Sequence, residues 1–199
     1  RIGVYVELHV EQGKGLINVG APVAVGSSIL EHGRWRIDVH GQGNHAGTTP
    51  LADRDDPMLA LAALITGARA AAQAHDAVAT VGKVEVTPNG TNVIPARVTA
   101  WLDVRANEEA AVHAVLAQLA PFAPQQESWS GPVVFDPTLS EQLARALTNR
   151  VGRTVPALGT GAGHDAGVLQ AAGIPSAMSF VRTPTGISHA AGEGASRAD

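Results

Sequence analysis

The sequence predicts an α/β protein in which one α/β layer is interrupted by an inserted unit of β-α-β-β-α-β order. Three observations carry that expectation. A short apolar run, Ile2 to Val6, leads into Glu7-Leu8-His9-Val10-Glu11-Gln12-Gly13. Such a polar stretch suits the carboxyl end of a buried strand, where α/β folds bind ligands. Between Gly33 and Phe135 hydrophobic residues recur with strand spacing and with helical spacing by turns, which gives the split βαβ, or ferredoxin-like, arrangement. After Asp136 the pattern returns to helix, short strand, glycine-rich loop, short helix and strand.

Taken in order, Arg1 to Glu11 reads as the first strand and Lys14 to Val25 as a connection punctuated by Gly and Pro. Trp35, Ile37 and Val39 alternate with Arg36, Asp38 and His40, the mark of a half-exposed strand. Gly41 to Pro50 reads as a loop. Asp56 before Pro57 is a helix start, with Met58, Leu61, Leu64 and Ile65 facing inward and an end near Ala74. Val78 to Val86 and Ala96 to Arg105 are strands, with Pro88-Asn89-Gly90 as a turn signal between them. Asn107 is expected to cap a helix that carries Glu108 and Glu109 in its first turn, where the helix dipole favours them. The stripe of that helix is Val112, Val115, Leu116 and Leu119, and a weaker strand between Ser128 and Phe135 closes the unit. Thr138-Leu139-Ser140-Glu141 fits a capping box, with Leu143 and Leu147 inward and Gly152 past the helix end. A short strand near Val155, the run Gly159 to Gly163, a helix from Asp165 to Ala172 and a strand from Ser176 to Val181 complete the pattern. The expected domains are 1–25 and 137–199 as two parts of one layer, and 26–136 as the insertion. The chain opens inside a strand at Arg1 and stops at Asp199, where a helix would begin, which reads as a piece of a longer polypeptide.

Composition narrows the chemistry. A net charge of −4, evenly spread, argues against a nucleic-acid surface. No apolar run approaches the roughly 20 residues that a membrane span needs, and no targeting or lipidation motif is evident. With no cysteine in 199 residues, disulfides and thiolate metal sites are excluded, and any metal must be held by His and carboxylates. A reducing, cytoplasmic setting is compatible with that.

Of the eight histidines, His32, His40, His75 and His113 fall on polar faces or in connections and read as surface residues. His9, His45, His164 and His189 each lie at a strand end or in a Gly-rich loop, where function concentrates. Singly each reads as an ordinary structural His; together, without cysteine, they point to a hydrolytic metal site. Six blocks occur in order: Glu7 to Gly13, Gly43-Asn44-His45-Ala46-Gly47-Thr48-Thr49-Pro50, Asn92-Val93-Ile94-Pro95, Asp103-Val104-Arg105, Gly161-Ala162-Gly163-His164-Asp165-Ala166 and Ile187-Ser188-His189. Together they resemble the amidase/hydantoinase/carbamoylase branch of the M20 metallopeptidase family. That branch includes N-carbamoyl-L-amino-acid hydrolases, allantoate amidohydrolases and β-ureidopropionases.

The resemblance implies a di-metal α/β catalytic domain with an inserted ferredoxin-like lid, through which the protein would form a homodimer. His9 resembles a ligand of one metal and His189 a ligand of the other, and neutral imidazoles there suit Zn²⁺ or Mn²⁺. Gln12, Gly163 and His164 match residues that contact the substrate near the metals. His45, on the lid, matches a catalytic His that reaches into the partner subunit's active site and stabilises the oxyanion. Asn92 and Arg105 match a pair that binds the substrate carboxylate, for which a planar guanidinium is apt. On spacing alone, Arg105 also reads as a strand-end charge and Asn92 as a cap of the turn after Gly90. The family's H-x-D motif, bridging Asp and adjacent Glu pair have no counterpart before His9, and Glu108-Glu109 does not substitute for them. The closing helix of the catalytic domain is likewise not evident after Glu193.

The activity so implied for the intact protein is metal-dependent hydrolysis of an N-carbamoyl-L-amino acid or related ureido acid, to free amino acid, ammonia and carbon dioxide. One alternative is an allantoate amidohydrolase; another is an M20 aminoacylase or peptidase, and only against the latter do the Gln12 motif and the Asn92/Arg105 pair count. The 199 residues alone are expected to be a lid-and-dimerisation module without turnover, and to hold no metal tightly, because two His ligands without carboxylates bind it weakly.

Overall fold

A computed structural model describes residues 2–195. The expected helix start at Asp199 and the first residue of the expected opening strand, Arg1, lie outside the described residues. Two compact units emerge, one built from residues 2–30 with 132–195 and one from Glu31–Gly131. Residues 26–30 and 132–136 therefore stay with the first unit. Among the described residues no helix is long and apolar enough to cross a membrane.

The first unit is a mixed sheet flanked by helices. Its strands are β1 (Tyr5–Val10), β2 (Val23–Ile29), β9 (Val133–Val134), β10 (Ala157–Thr160) and β11 (Ser176–Val181). The order is β1-β11-β2-β10, with β9 on β2. β1 and β11 run parallel with His9 opposite Phe180, and β2 runs antiparallel to β11 and parallel to β10. Helices α1 (Gly15–Asn18), α4 (Pro137–Val151) and α5 (Asp165–Ala171) complete the unit. Leu16, Ile29, Phe135, Met178 and Phe180 form its core. Gly26 eases the packing there, since a Cβ would stand 3.1 Å from Met178 Cβ and 3.2 Å from the Phe135 ring, tighter than ordinary contact. A Cβ on Gly167 would collide with Ile29 Cδ1, so glycine lets α5 lie close on the sheet.

The second unit has a four-stranded antiparallel sheet, β5-β7-β3-β8, from β3 (Glu31–His40), β5 (Ala77–Thr87), β7 (Arg97–Ala106) and β8 (Gln125–Ser130). Helices α2 (Pro57–Ala74) and α3 (Glu109–Gln118) pack on one face, against Trp35, Ile37, Val98, Ala100, Leu102 and Val104. The chain order is β-α-β-β-α-β. A two-stranded ladder, β4 (Asn44–His45) with β6 (Val93–Ile94), is added at the end of β3.

Several expectations need correction. The connection from Lys14 to Val25 contains α1 and opens β2, which Pro22 and the Gly26-Ser27-Ser28 run disguise as loop. The strand expected from Ser128 to Phe135 is two: β8 in one unit and β9 in the other, broken at Gly131-Pro132, where proline has no N–H for a ladder. Asn107 does not cap α3; Glu108 occupies that position without a side-chain bond. α4 starts before the Thr138 box, because Asp136 Oδ1 accepts from Leu139 N at 2.8 Å and Pro137 takes the first helical position. The strand near Val155 is β10, two residues further on. On α2, Met58 and Ile65 are 39% and 44% exposed, so they are not core; Ala68, Ala71 and Ala72 continue the buried stripe instead.

Candidate functional site

Alternation along β1 turns Tyr5, Glu7 and His9 to one face. There Glu7, His9 and His164 each offer a ligand atom within 4.8 Å of the others. His164 is the cap residue of α5, in extended conformation, and its side chain is only 4% exposed. Glu7 fixes the start of that helix: Oε2 accepts from Ala166 N at 2.8 Å, while Oε1 lies 3.5 Å from His164 Nδ1. The rings of His9 and His164 meet edge to face at 4.6 Å. Burial first, and then the neighbouring His9, hold the His164 pKa below its ordinary value, against the opposing pull of Glu7 and Asp165. His9 Nδ1 donates to the Val10 carbonyl oxygen at 2.8 Å, which leaves Nε2 as the lone-pair nitrogen. Two imidazoles with available lone pairs and one carboxylate are a fitting partial shell for a divalent cation.

The rest of the opening motif has different work. Glu11 accepts from Gly15 N at 2.6 Å and Leu16 N at 2.9 Å, so its carboxylate holds the start of α1. Gln12 Nε2 donates to Ser188 Oγ at 2.7 Å and to Glu193 Oε1 at 3.3 Å. A cavity of about 250 Å³ opens beside it, lined by Glu11, Gln12, Lys14, Leu158, Thr160 and Phe180 among others. His189 has φ +56 and donates its backbone N–H to Glu193 Oε2 at 2.9 Å. It is not one of the three residues that converge on β1. Gly163 is exposed in the loop that delivers His164.

In the second unit, the β4–β6 ladder brings His45 opposite Val93, and Ala46 N donates to the Asn92 carbonyl oxygen at 2.9 Å. His45 is exposed and its Nδ1 accepts from Gly47 N at 3.0 Å. His45 and Asn92 are thus neighbours, but Arg105 is not with them. Gly41 N bonds to Ala96 O at the Arg97 end of β7, whereas Arg105 pairs with His32 at the other end. Eight residues of strand separate Arg97 from Arg105, roughly 26 Å at the usual rise. Arg105 already grips a carboxylate: Nε and Nη2 donate to Asp103 Oδ1 and Oδ2 at 2.6 Å and 2.9 Å. Burial pushes the Asp103 carboxyl up, but Arg105 and then Arg34 outweigh it and hold the group below the usual carboxylate range.

Glu7 and Glu193 are the residues that sequence reasoning missed. The signal for Glu7 was its i, i+2 spacing to His9, which puts both on one face of a strand. Glu193 carried no signal, since its partners are set only by the fold.

Residues 31–128 match the peptidase dimerisation domain, M20_dimer. Over 95% of its length the chain is 33% identical to an allantoate deiminase of Arabidopsis thaliana, of which it covers 43%. It is also 33% identical, over all of its length, to an N-carbamoyl-L-amino acid amidohydrolase of Geobacillus stearothermophilus, covering 51% of that protein. The crystal structure of an amidase of the hydantoinase/carbamoylase family from Burkholderia vietnamiensis matches with a TM-score of 0.84 at 31% identity, over 92% of this chain and 48% of that one. The chain spans about half the length of the curated relatives it matches. The α/β layer interrupted by a β-α-β-β-α-β unit shares its fold with about half of that amidase. The inserted unit thus matches the M20 peptidase dimerisation domain, and the chain is similar to amidohydrolases of the hydantoinase/carbamoylase family.

Proposed function

We propose that this chain is part of a metal-dependent amidohydrolase that cleaves a carbamoyl or ureido C–N bond, with allantoate as the leading substrate. The observation that carries the reading is the convergence of Glu7, His9 and His164 at the end of β1. Allantoate stands ahead of the N-carbamoyl-L-amino acids expected from sequence. The reason is that relatives from plants and bacteria, similar over more than nine-tenths of the chain, are allantoate deiminases and allantoate amidohydrolases.

In this reading His9 and His189 would each hold one of two divalent cations, Zn²⁺ or Mn²⁺. Bound there, a divalent cation supplies a Lewis acid for the carbonyl and lowers the pKa of water. Gln12 and the cavity beside it receive the ureido acid, with Gly163 keeping the approach to His164 open. His164, kept neutral by burial, supplies a lone pair or a hydrogen bond without a competing positive charge. His45 acts as the donor to the developing oxyanion, an electrostatic role of a few kcal/mol per donor. It would do so across a homodimer formed through the inserted unit. Asn92 orients the substrate. Arg105 takes the substrate carboxylate only by sharing a guanidinium with Asp103.

Ammonia release from allantoate, N-carbamoyl amino acids and 3-ureidopropionate, with Zn²⁺ or Mn²⁺ supplied, tests the reading. Turnover of allantoate that His45→Ala abolishes at constant metal content is expected of the active protein. Allantoate left intact by a preparation that turns over acylated amino acids would end it. A second reading follows from the dimerisation domain: these 199 residues alone pair chains and do not turn over. A dimer with neither bound metal nor ammonia release would favour that.

A further inference from the structure

In the loop after β11, Glu193 and Ser188 have no part in the roles above, yet they bond to two residues that do. Glu193 Oε1 accepts from Gln12 Nε2 at 3.3 Å and from Ser188 Oγ at 3.2 Å, and Oε2 accepts from the His189 backbone N–H at 2.9 Å. Ser188 Oγ in turn accepts from Gln12 Nε2 at 2.7 Å. Three donors, one of them 181 residues away in sequence, meet on one carboxylate. These bonds, chiefly that from His189, hold the Glu193 carboxyl below its ordinary value against the effect of burial. The loop closes tightly over the β1 exit, since a Cβ on Gly186 would come within 2.6 Å of the Gly13 carbonyl oxygen.

Direction matters here. A carboxylate only accepts, so the Gln12 amide must present Nε2 to Glu193. Both Nε2 protons are then committed, one to Ser188 and one to Glu193. Turning the amide over would set Gln12 Oε1 against Glu193 Oε1, two acceptors without a proton between them. Oε1 is therefore the group that Gln12 offers outward, and it can only accept. A ureido group presents N–H donors, the complement of that oxygen. His189, meanwhile, is held in a left-handed conformation that non-glycine residues seldom adopt, and its N–H is pinned by the same carboxylate.

We propose that Glu193 is a positioning residue, which fixes His189 through its backbone N–H and turns Gln12 Oε1 outward to accept from a ureido N–H. The acceptor part rests on the ureido reading; the clasp itself does not.

Nuclear magnetic resonance on the ¹⁵N-labelled 199-residue chain tests both. Glu193→Ala and Glu193→Gln should shift the His189 amide and Gln12 side-chain signals and speed their hydrogen exchange about tenfold, as loss of one such bond implies. Glu193→Asp should restore part of this, with Ala177 and Met178 in the core unmoved. His189 and Gln12 signals that stay in place in Glu193→Ala overturn the clasp. Titration with Mn²⁺ alone should broaden His9 and His189 in the unaltered chain, and only His9 in Glu193→Ala. Equal broadening at His189 in the variant also overturns it. If neither His broadens in the unaltered chain, these 199 residues alone do not hold the ion, as the second reading expects, and the exchange measurement still decides the clasp. N-carbamoylglycine should then shift Gln12. Shifts at His9 and His164 without one at Gln12 overturn the acceptor role, whereas no shift anywhere counts against the ureido reading itself.

Discussion

Glu7 does two things with two oxygens, and they separate by mutation. Oε2 holds the first turn of α5, while Oε1 faces His164. Glu7→Gln keeps an acceptor for Ala166 N and loses the charge, so the fold should survive with weakened uptake of divalent metal. Glu7→Ala should lose both. Calorimetric melting beside equilibrium dialysis with Zn²⁺ separates them, and equal metal uptake by Glu7→Gln would remove Glu7 from the site. In the second unit Arg105→Ala should cost about 1–3 kcal/mol in urea denaturation, because a half-buried Asp103 then loses the two short bonds from Arg105 and keeps only the longer one from Arg34. Asp38 gives a pH signature. The Thr99 hydroxyl at 2.6 Å, and then Arg36, hold its carboxyl below the usual value. A depressed folded pKa contributes stability above the unfolded value, and that contribution disappears as pH falls through the folded one. The stability gap between the unaltered chain and Asp38→Asn should therefore narrow as pH falls below about 4, the ordinary Asp value; a gap that stays constant as acid is added below that point would exclude the bond as its source. His9 and Gln12 were legible in sequence because polar side chains at a strand exit have no use in a core. The pairing of Glu7 with His164 was not, since only the packing of α5 beside β1 brings residues so far apart together.

Elements were legible where local chemistry settles them. Asp56-Pro57 starts α2, with Asp56 Oδ1 accepting from Met58 N at 3.0 Å, and Asp136-Pro137 starts α4 by the same means. Asp56→Ala should accordingly cost about 1 kcal/mol. Within α2, Leu64 is fully buried against β3 and β7, and Leu64→Ala should cost about 2–5 kcal/mol by chemical denaturation. A loss below that of Asp56→Ala would show that the α2 face is not core. Where tertiary pairing decides, sequence misled. Val23–Ile29 becomes a strand because β11, β10 and β9 all pair with it, although its small residues favour no such conformation. The inward stripe of α2 was misread for a related reason. Its alanines, not Met58 and Ile65, let the helix approach the sheet.

At the scale of the whole molecule, β1 shapes how the isolated chain behaves. It is an edge strand among the described residues, and one face carries the catalytic candidates. The opposite face presents Val4, Val6 and Leu8 in a row at period two, 58%, 49% and 70% exposed. Strands of an α/β layer are normally covered on both faces, and an apolar edge is a template for association. Covering such side chains is worth about 1.5–3 kcal/mol each. Chains should therefore associate through this row as concentration rises, beyond any dimer formed by the inserted unit. Replacing Val6 and Leu8 together by Lys puts two charges on that face and leaves Tyr5, Glu7 and His9 facing α5. Light scattering across a concentration series should show the higher assemblies disappear in the double variant, while any dimer formed by the inserted unit is retained. If the variant assembles as the unaltered chain does, the adhesive surface lies elsewhere, with Val78 at 60% exposure on the β5 edge as the next position to charge.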